Sequence, residues 1–310
     1  MTFKDVWMFA GLHSDVPDPM LWRGWAQWAY NEFCDRKSWS HLRASTTMLV
    51  ADQKAGTVTV SQGSPTVVGG TLVFAASDVG RAFRLSSIPI YTIVAVSTAG
   101  PTSATLDQNY GEVSAVGTAA TILDAYITMP ENFHRFRAIL DPINRWRLRW
   151  WIQQETLDKW DPARQSTGNP RLLANNQYSP VPGQTTRPRF ELYPYQTAAR
   201  SFPTWYYRKA ETLADGDVLM GPLAARGMEI LVDGILSRCA LWPGTAGKKN
   251  PYFSPTLAET HRKLFEDKVA DVFVQDDELY FETLPMADFG WADFPWDAAW
   301  LQSHEPWTIG

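Results

Sequence analysis

The chain has 310 residues, 45% of them hydrophobic and 20% charged, with a formal net charge of -5 and a pI near 5.6. This is a globular composition, long enough for one large domain or two modest ones, and its mild acidity argues against a general nucleic-acid binder, which needs a strongly basic domain. Cys34 and Cys239 stand far apart with no Cys-x-x-Cys, which indicates neither a disulfide framework nor a zinc site and leaves both thiols as small core residues.

At the N-terminus, Thr2 is placed to cap a short helix through Ala10 that shows Phe3, Val6, Trp7 and Ala10 on one side, with Gly11 available for a left-handed cap. Asp18 followed by Pro19 marks the start of a second helix, on which Leu21, Trp25, Trp28, Ala29 and Phe33 recur at spacings of three and four. Such an aromatic stripe is a core face. From about Met48 the pattern turns to strand.

Residues 56 to 123 carry only five charges, Asp78, Arg81, Arg84, Asp107 and Glu112, and many Val and Thr. Thr57–Val60, Thr71–Phe74, Arg81–Leu85 and Tyr91–Val94 alternate between turn residues, which predicts a small β-sandwich or barrel. It reads as an insertion at 55–125 into a mixed, mainly helical body formed by 1–54 plus 126–282, because a surface loop tolerates an inserted domain. The fold class is therefore α+β, with short β-hairpins in the helical body.

Tyr126 to Leu140 leads through Asp141-Pro142-Ile143-Asn144 into Arg145–Trp151. A type I turn with Asn144 left-handed predicts a three-residue hairpin loop in which Asp141 faces Arg145 and Arg137 faces Arg149. In that register Arg135, Arg137, Arg145, Arg147 and Arg149 share one face, and Phe136, Ala138, Leu140, Trp146, Leu148 and Trp150 share the other. Like charges opposite one another destabilise a sheet, so the basic face calls for an acidic neighbour or a polyanion.

Gln153 to Trp160 predicts a short helix, and Asp161 to Pro188, rich in Pro, Asn and Gln, a long surface loop. Phe190 and Leu192 alternate with Arg189, Glu191 and Tyr193 on a strand, with Thr204–Arg208 as its partner across a segment whose Pro194 and Pro203 mark strand edges. After a loop, Met228, Leu231, Val232, Ile235, Leu236 and Cys239 form the stripe of a helix over 227–241, stopped by Trp242-Pro243-Gly244. Ser254 and Pro255 open a last long helix with Leu257, Leu264, Phe265, Val269 and Val272 on its buried side, packed on the 227–241 helix. From Thr283 onward an aromatic, acidic C-terminal tail carries Trp291, Phe294, Trp296, Trp300 and Trp307 among Asp288, Asp293, Asp297 and Glu305, with no Lys or Arg. Those residues read as anchors for a partner's pockets, since Trp is favoured at interface centres.

Motifs for chemistry are missing where they would show. His13, His41, His134, His261 and His304 are scattered without ligand spacing, Gly244–Lys249 is a basic turn and not a phosphate loop, and no Gly-x-Ser-x-Gly elbow occurs. Asp276-Asp277-Glu278 point in different directions on a helix and read as a solvated face. No cofactor and no metal are expected. With no long apolar run and no basic-then-apolar leader, a soluble protein made in a host cytoplasm is the expectation.

Phe190-Glu191-Leu192-Tyr193-Pro194, Trp205-Tyr206-Tyr207-Arg208-Lys209, the Asp215-Gly216-Asp217 loop and Ile230–Leu236 together resemble tailed-phage head-to-tail connector proteins of the adaptor type, related to the tail tubular protein A of short-tailed phages. Met129–Phe133 is similar to that family's return into its core, and Asp78-Val79-Gly80-Arg81 to its β insert; the likeness covers about residues 20 to 282. It implies a dodecameric ring of this chain beneath the portal protein, a downstream tail or nozzle protein on the other side, genomic DNA passing through the lumen, no membrane and no catalysis, all at the head–tail interface of the virion. A phage-surface protein that binds or cleaves host glycans is the alternative reading.

Overall fold

The computed structural model describes residues 1–13, 18–85, 90–245 and 247–281. The tail from 283, with Trp291, Phe294, Trp296, Trp300 and Trp307, lies outside the described residues. Five α-helices are described: α1 (Phe3–Gly11), α2 (Pro19–Arg36), α3 (Gln154–Trp160), α4 (Pro222–Leu241) and α5 (Pro255–Phe281). The chain divides into two compact units, one of Met1–Arg43 with Tyr207–Gly310 and one of Ala44–Tyr206.

The first unit is built around α4. Helices α1, α2 and α5 all pack on it, so burial runs nearly all the way round: Leu223, Ile230, Leu231, Ile235 and Cys239 are joined by Gly227, Asp233, Gly234 and Ser237. The helix starts at Pro222, ahead of the expected 227, because Gly221 at φ +58 supplies the entry turn and proline is tolerated in the first turn. At its other end Asn250 Nδ2 donates to the Cys239 and Trp242 carbonyls, each at 2.8 Å, and so satisfies acceptors that the helix leaves open.

Local capping follows the sequence closely. Thr2 and Asp5 form a reciprocal capping box on α1, Asp18 Oδ1 accepts from Met20 N at 2.9 Å, and Ser254 Oγ accepts from Leu257 N at 3.3 Å. The C-terminus of α1 departs from expectation. Its cap is Leu12 in right-handed conformation, with the cap N–H bonded to the Ala10 and Phe9 carbonyls, so Gly11 is not used as a left-handed cap.

Two helix faces match the expected ones only in part. On α2 the buried residues are Trp22, Ala26, Ala29, Tyr30, Phe33 and Cys34, while Leu21, Trp25 and Trp28 lie at the rim. The reason is the close approach at Gly234 of α4, where an added Cβ would stand 2.9 Å from Ala29 Cβ. Small residues mark the line of contact and the large indoles are pushed beside it. On α5, Ala258, Phe265, Val269 and Val272 are buried, whereas Leu257 is half-buried and Leu264 is exposed. Gly244–Thr245 pairs with Lys248–Lys249 in the turn between α4 and α5.

The second unit holds strands β1 (Arg43–Val50), β2 (Lys54–Val60), β3 (Thr66–Gly69), β4 (Ala82–Leu85), β5 (Tyr91–Ser97), β6 (Ser103–Leu106), β7 (Ala115–Leu123), β8 (Tyr126–Thr128), β9 (Phe133–Asp141), β10 (Trp146–Arg147), β11 (Arg149–Gln153), β12 (Leu172–Tyr178), β13 (Pro188–Tyr193) and β14 (Arg200–Arg208). Strands β2-β3-β6-β5-β4-β7 close into a barrel, the arrangement that leaves no sheet edge. Val58, Val67, Phe74, Phe83, Ile93 and Ile122 fill it. Residues 71–74, expected as a strand, lie outside the barrel strands; Gly70 N and Leu72 N both donate to the Thr57 carbonyl, and Leu72 and Phe74 are buried in the barrel core.

The remaining strands form two sheets, β1-β14-β9-β10 and β11-β12-β13-β8. One aromatic core, Phe133, Phe136, Phe190, Phe202 and Tyr206, draws from both, with Phe136 and Phe190 ring centroids 4.7 Å apart. Three expectations fail here. Strands β13 and β14 belong to different sheets and are not partners, because the chain after β13 turns off at Tyr195, which is fully buried and bridges to Thr167. Strand β14 also runs through Pro203. The expected loop from Asp161 to Pro188 contains β12, which pairs parallel with β11 and antiparallel with β13.

Candidate functional site

The arginine hairpin is the first candidate, and its register decides what it presents. Trp146 pairs with Asp141 and Arg147 with Leu140, one residue away from the expected pairing, and the left-handed residue is Arg145 at φ +59 and not Asn144. Asp141 sets this length. Fully buried, it accepts from Ile143 N, Asn144 N and Asn144 Nδ2, and Arg200 Nη1 closes on it at 2.7 Å. Asp141, expected to face Arg145, is instead paired with an arginine from β14.

Arg135 and Arg137 are exposed on β9, Arg145 and Arg147 are exposed in and after the turn, and half-buried Arg149 opens β11, where it pairs with Leu172 of the other sheet. Arg149 therefore does not face Arg137, and the five side chains do not come from one ladder. Four of them, Arg135, Arg137, Arg145 and Arg147, are exposed along β9, the turn and β10.

Several buried charges of the same unit pair with one another. Glu191, 1% exposed, accepts from Arg164 Nε at 2.6 Å, Tyr195 Oη at 2.6 Å and Gln154 Nε2 at 2.5 Å, and Asp158 takes a second guanidinium nitrogen of Arg164. Burial opposes the Arg164 charge, but Glu191 and Asp158 outweigh it and hold its pKa above the ordinary value. The Tyr195 hydroxyl is pushed up by burial and by Glu191. Under the barrel, Asp78 accepts from Lys54 at 2.7 Å and Arg81 at 3.1 Å, and Arg81 Nε reaches Asp124 at 2.6 Å. Burial alone would raise the Asp78 carboxyl; its bonds from Lys54, the Ala75 N–H and Arg81 together bring it below the usual value.

In the first unit Asp233 of α4 accepts from His261 Nδ1 at 2.8 Å and Lys268 Nζ at 2.5 Å, both on α5. Asp276, read from sequence as part of a solvated face, is buried and accepts from Ser40 N at 3.2 Å and Ser40 Oγ at 2.6 Å. The reason is that α5 brings it against the turn after α2. Asp215-Gly216-Asp217 is a docking loop, since Phe3 N donates to the Asp217 carbonyl and Lys4 N to that of Asp215. Cys34 and Cys239 are both buried, and burial pushes the Cys34 thiol up to about 12.

A general acid or base needs a carboxyl whose pKa is drawn toward neutrality, whereas that of Asp78 is held below the usual carboxylate value. Among the described residues no group of three or more His, Cys, Asp or Glu is arranged to hold a metal ion. None of these contacts had a local sequence signal, because their partners meet only in three dimensions.

The chain is an α+β protein in which buried ion pairs link strands to strands and helices to helices. It belongs to the SU10 adaptor protein family, whose profile matches residues 1–284. The chain is thus a phage adaptor protein of the head-to-tail connector. No curated protein matches it.

Proposed function

We propose that copies of this chain close into a dodecameric ring between the portal and the next tail or nozzle protein, with a lumen through which the genome passes, as in connectors related to tail tubular protein A. The observation that carries this reading is the family match over residues 1–284. A head-to-tail contact between identical subunits closes into a ring when its rotation permits, and a ring is the geometry that joins two coaxial assemblies while leaving a channel. Mass measurement and electron microscopy of the purified chain, alone and with a portal protein, test it. Rings in either sample support the reading; a monomer under both conditions overturns it.

Arg135, Arg137, Arg145, Arg147 and Arg149 supply the basic surface of this assembly, facing carboxylates of a neighbouring subunit. A conduit that gripped phosphate strongly would hold the genome back, which favours protein over DNA as their partner. Replacing Arg147 and Arg149 by Ser should abolish ring assembly. Intact rings that release DNA abnormally would move the arginines to the lumen.

A further inference from the structure

Strand β12 helps to line a cleft. About 700 Å³ in volume, it is lined by Gln153, Gln154, Asn175, Asn176, Gln177 and Tyr178, with Glu155 and Pro180 at the margin and Arg189 beneath. Five of these side chains are carboxamides. The ladder between β12 and β13 breaks between Asn175 and Tyr178, and at the break Gln177 takes φ +58, a conformation that costs a non-glycine residue energy and that clusters at binding sites. Gln177 N–H donates to Asn175 Oδ1 at 3.3 Å, which fixes the turned-out segment.

Part of the lining is preorganised. Gln154 donates to Glu191 and accepts from Asn176 Nδ2 at 3.3 Å, while Asn176 Oδ1 accepts from Arg189 Nη2 at 2.8 Å. The rest is open: Gln153, Asn175, Gln177 and Tyr178 are exposed. The size lies within the range of small-ligand sites.

We propose that this cleft binds a neutral polyhydroxylated ligand, a short uncharged glycan. A carboxamide presents a donor and an acceptor side by side, which matches the paired donor and acceptor capacity of neighbouring sugar hydroxyls. Tyr178, 60% exposed, offers a ring face for the C–H face of a pyranose. Charge argues against an anionic ligand. The only cation in the lining, Arg189, is buried, bonded to Thr92 and Asn176, and stacked 4.0 Å over the Tyr126 ring, while Glu155 would repel an anion. A polar peptide added as a strand is disfavoured as well, because β12 is paired on both sides through Asn175 and the Gln177 N–H is already taken.

Binding is tested on the intact chain. Saturation-transfer NMR with neutral trisaccharides of glucose, galactose, mannose and N-acetylglucosamine, and a sulfated trisaccharide as control, is the measurement. At least one neutral sugar should bind with a dissociation constant on the order of 1 mM or tighter, and Tyr178→Ala should weaken it about tenfold. Gln177→Gly should weaken it too, and this variant keeps the turn because glycine accepts a positive φ; both variants should keep the parent unfolding midpoint. No transfer to any neutral sugar at about 10 mM, preference for the sulfated one, or binding undiminished in both variants would overturn the proposal.

Discussion

Asp233 joins α4 to α5 through His261 and Lys268 while only 7% of its surface is exposed. Removing it leaves Lys268, which still reaches solvent, and takes the acceptor from His261. We expect Asp233→Ala to destabilise the first unit by about 2 kcal/mol, below the full cost of breaking a buried pair because both partners are partly wet; a urea unfolding midpoint measures it. His41 makes a pH-dependent contribution. Neither ring nitrogen has a hydrogen-bond partner among the described residues, and its pKa is lowered by burial, with Arg208 adding to that and Asp276 opposing it. A folded-state value below the ordinary 6.5 means that the unfolded chain binds the proton first as pH falls. The contribution of His41 is therefore favourable above that value and is lost on acidification through it. The thermal midpoint of the parent should fall more between about pH 7 and pH 5 than that of His41→Leu, which has no proton to gain. Equal slopes would remove His41 as the cause.

At the level of elements, Gly234 of α4 lies close to both α2 and α5, since a Cβ there would meet Ala29 Cβ at 2.9 Å and Phe265 Cδ2 at 3.2 Å. Gly234→Val should cost about 1–3 kcal/mol by overpacking, which exceeds the gain in helix propensity, and denaturant unfolding should show it. A midpoint at or above the parent's would mean that the helices separate freely. This contact also explains how the sequence misleads. The starts of α2 and α5 are legible because Asp18-Pro19 and Ser254-Pro255 are local signals, but the buried face of α2 follows Ala26 and Ala29, which a count of large apolar residues overlooks. The β9–β10 register was hidden for a similar reason, since Asp141 is pinned by Arg200 from a strand distant in sequence. Strand β12 reads as loop because Asn175, Asn176 and Gln177 are polar on a strand whose exposed side lines a cleft. The Glu191–Arg164 pair was likewise beyond local reading, although the alternation that placed Phe190 and Leu192 in the core was plain.

For the whole molecule, the barrel and the tail carry the two domain-level proposals. The chain enters the barrel on β2 and leaves on β7, where Lys54 pairs with Ile122, so a short linker should bridge the ends if residues 55–125 are cut out. The excised chain loses the bond from Arg84 to the Arg164 carbonyl and that from Arg189 to Thr92, yet it should keep the helical circular dichroism and cooperative unfolding of the first unit. Loss of both would show that the module is not separable. The tail from Thr283 to Gly310 carries Trp291, Phe294, Trp296, Trp300 and Trp307 with four carboxylates, Asp288, Asp293, Asp297 and Glu305, and no cation. Large aromatics left in water are an aggregation liability, while in a partner's pockets they are what interface centres favour. Negative charge without compensation requires a basic receiving surface, and the exposed arginines of β9 and β10 on a neighbouring subunit, or a basic patch on the portal or next tail protein, meet that requirement. Deleting residues 283–310 should leave the unfolding midpoint of the remaining chain unchanged and abolish assembly with a second copy or the portal. A lowered midpoint would mean instead that the tail covers its own subunit, and the docking proposal would be given up.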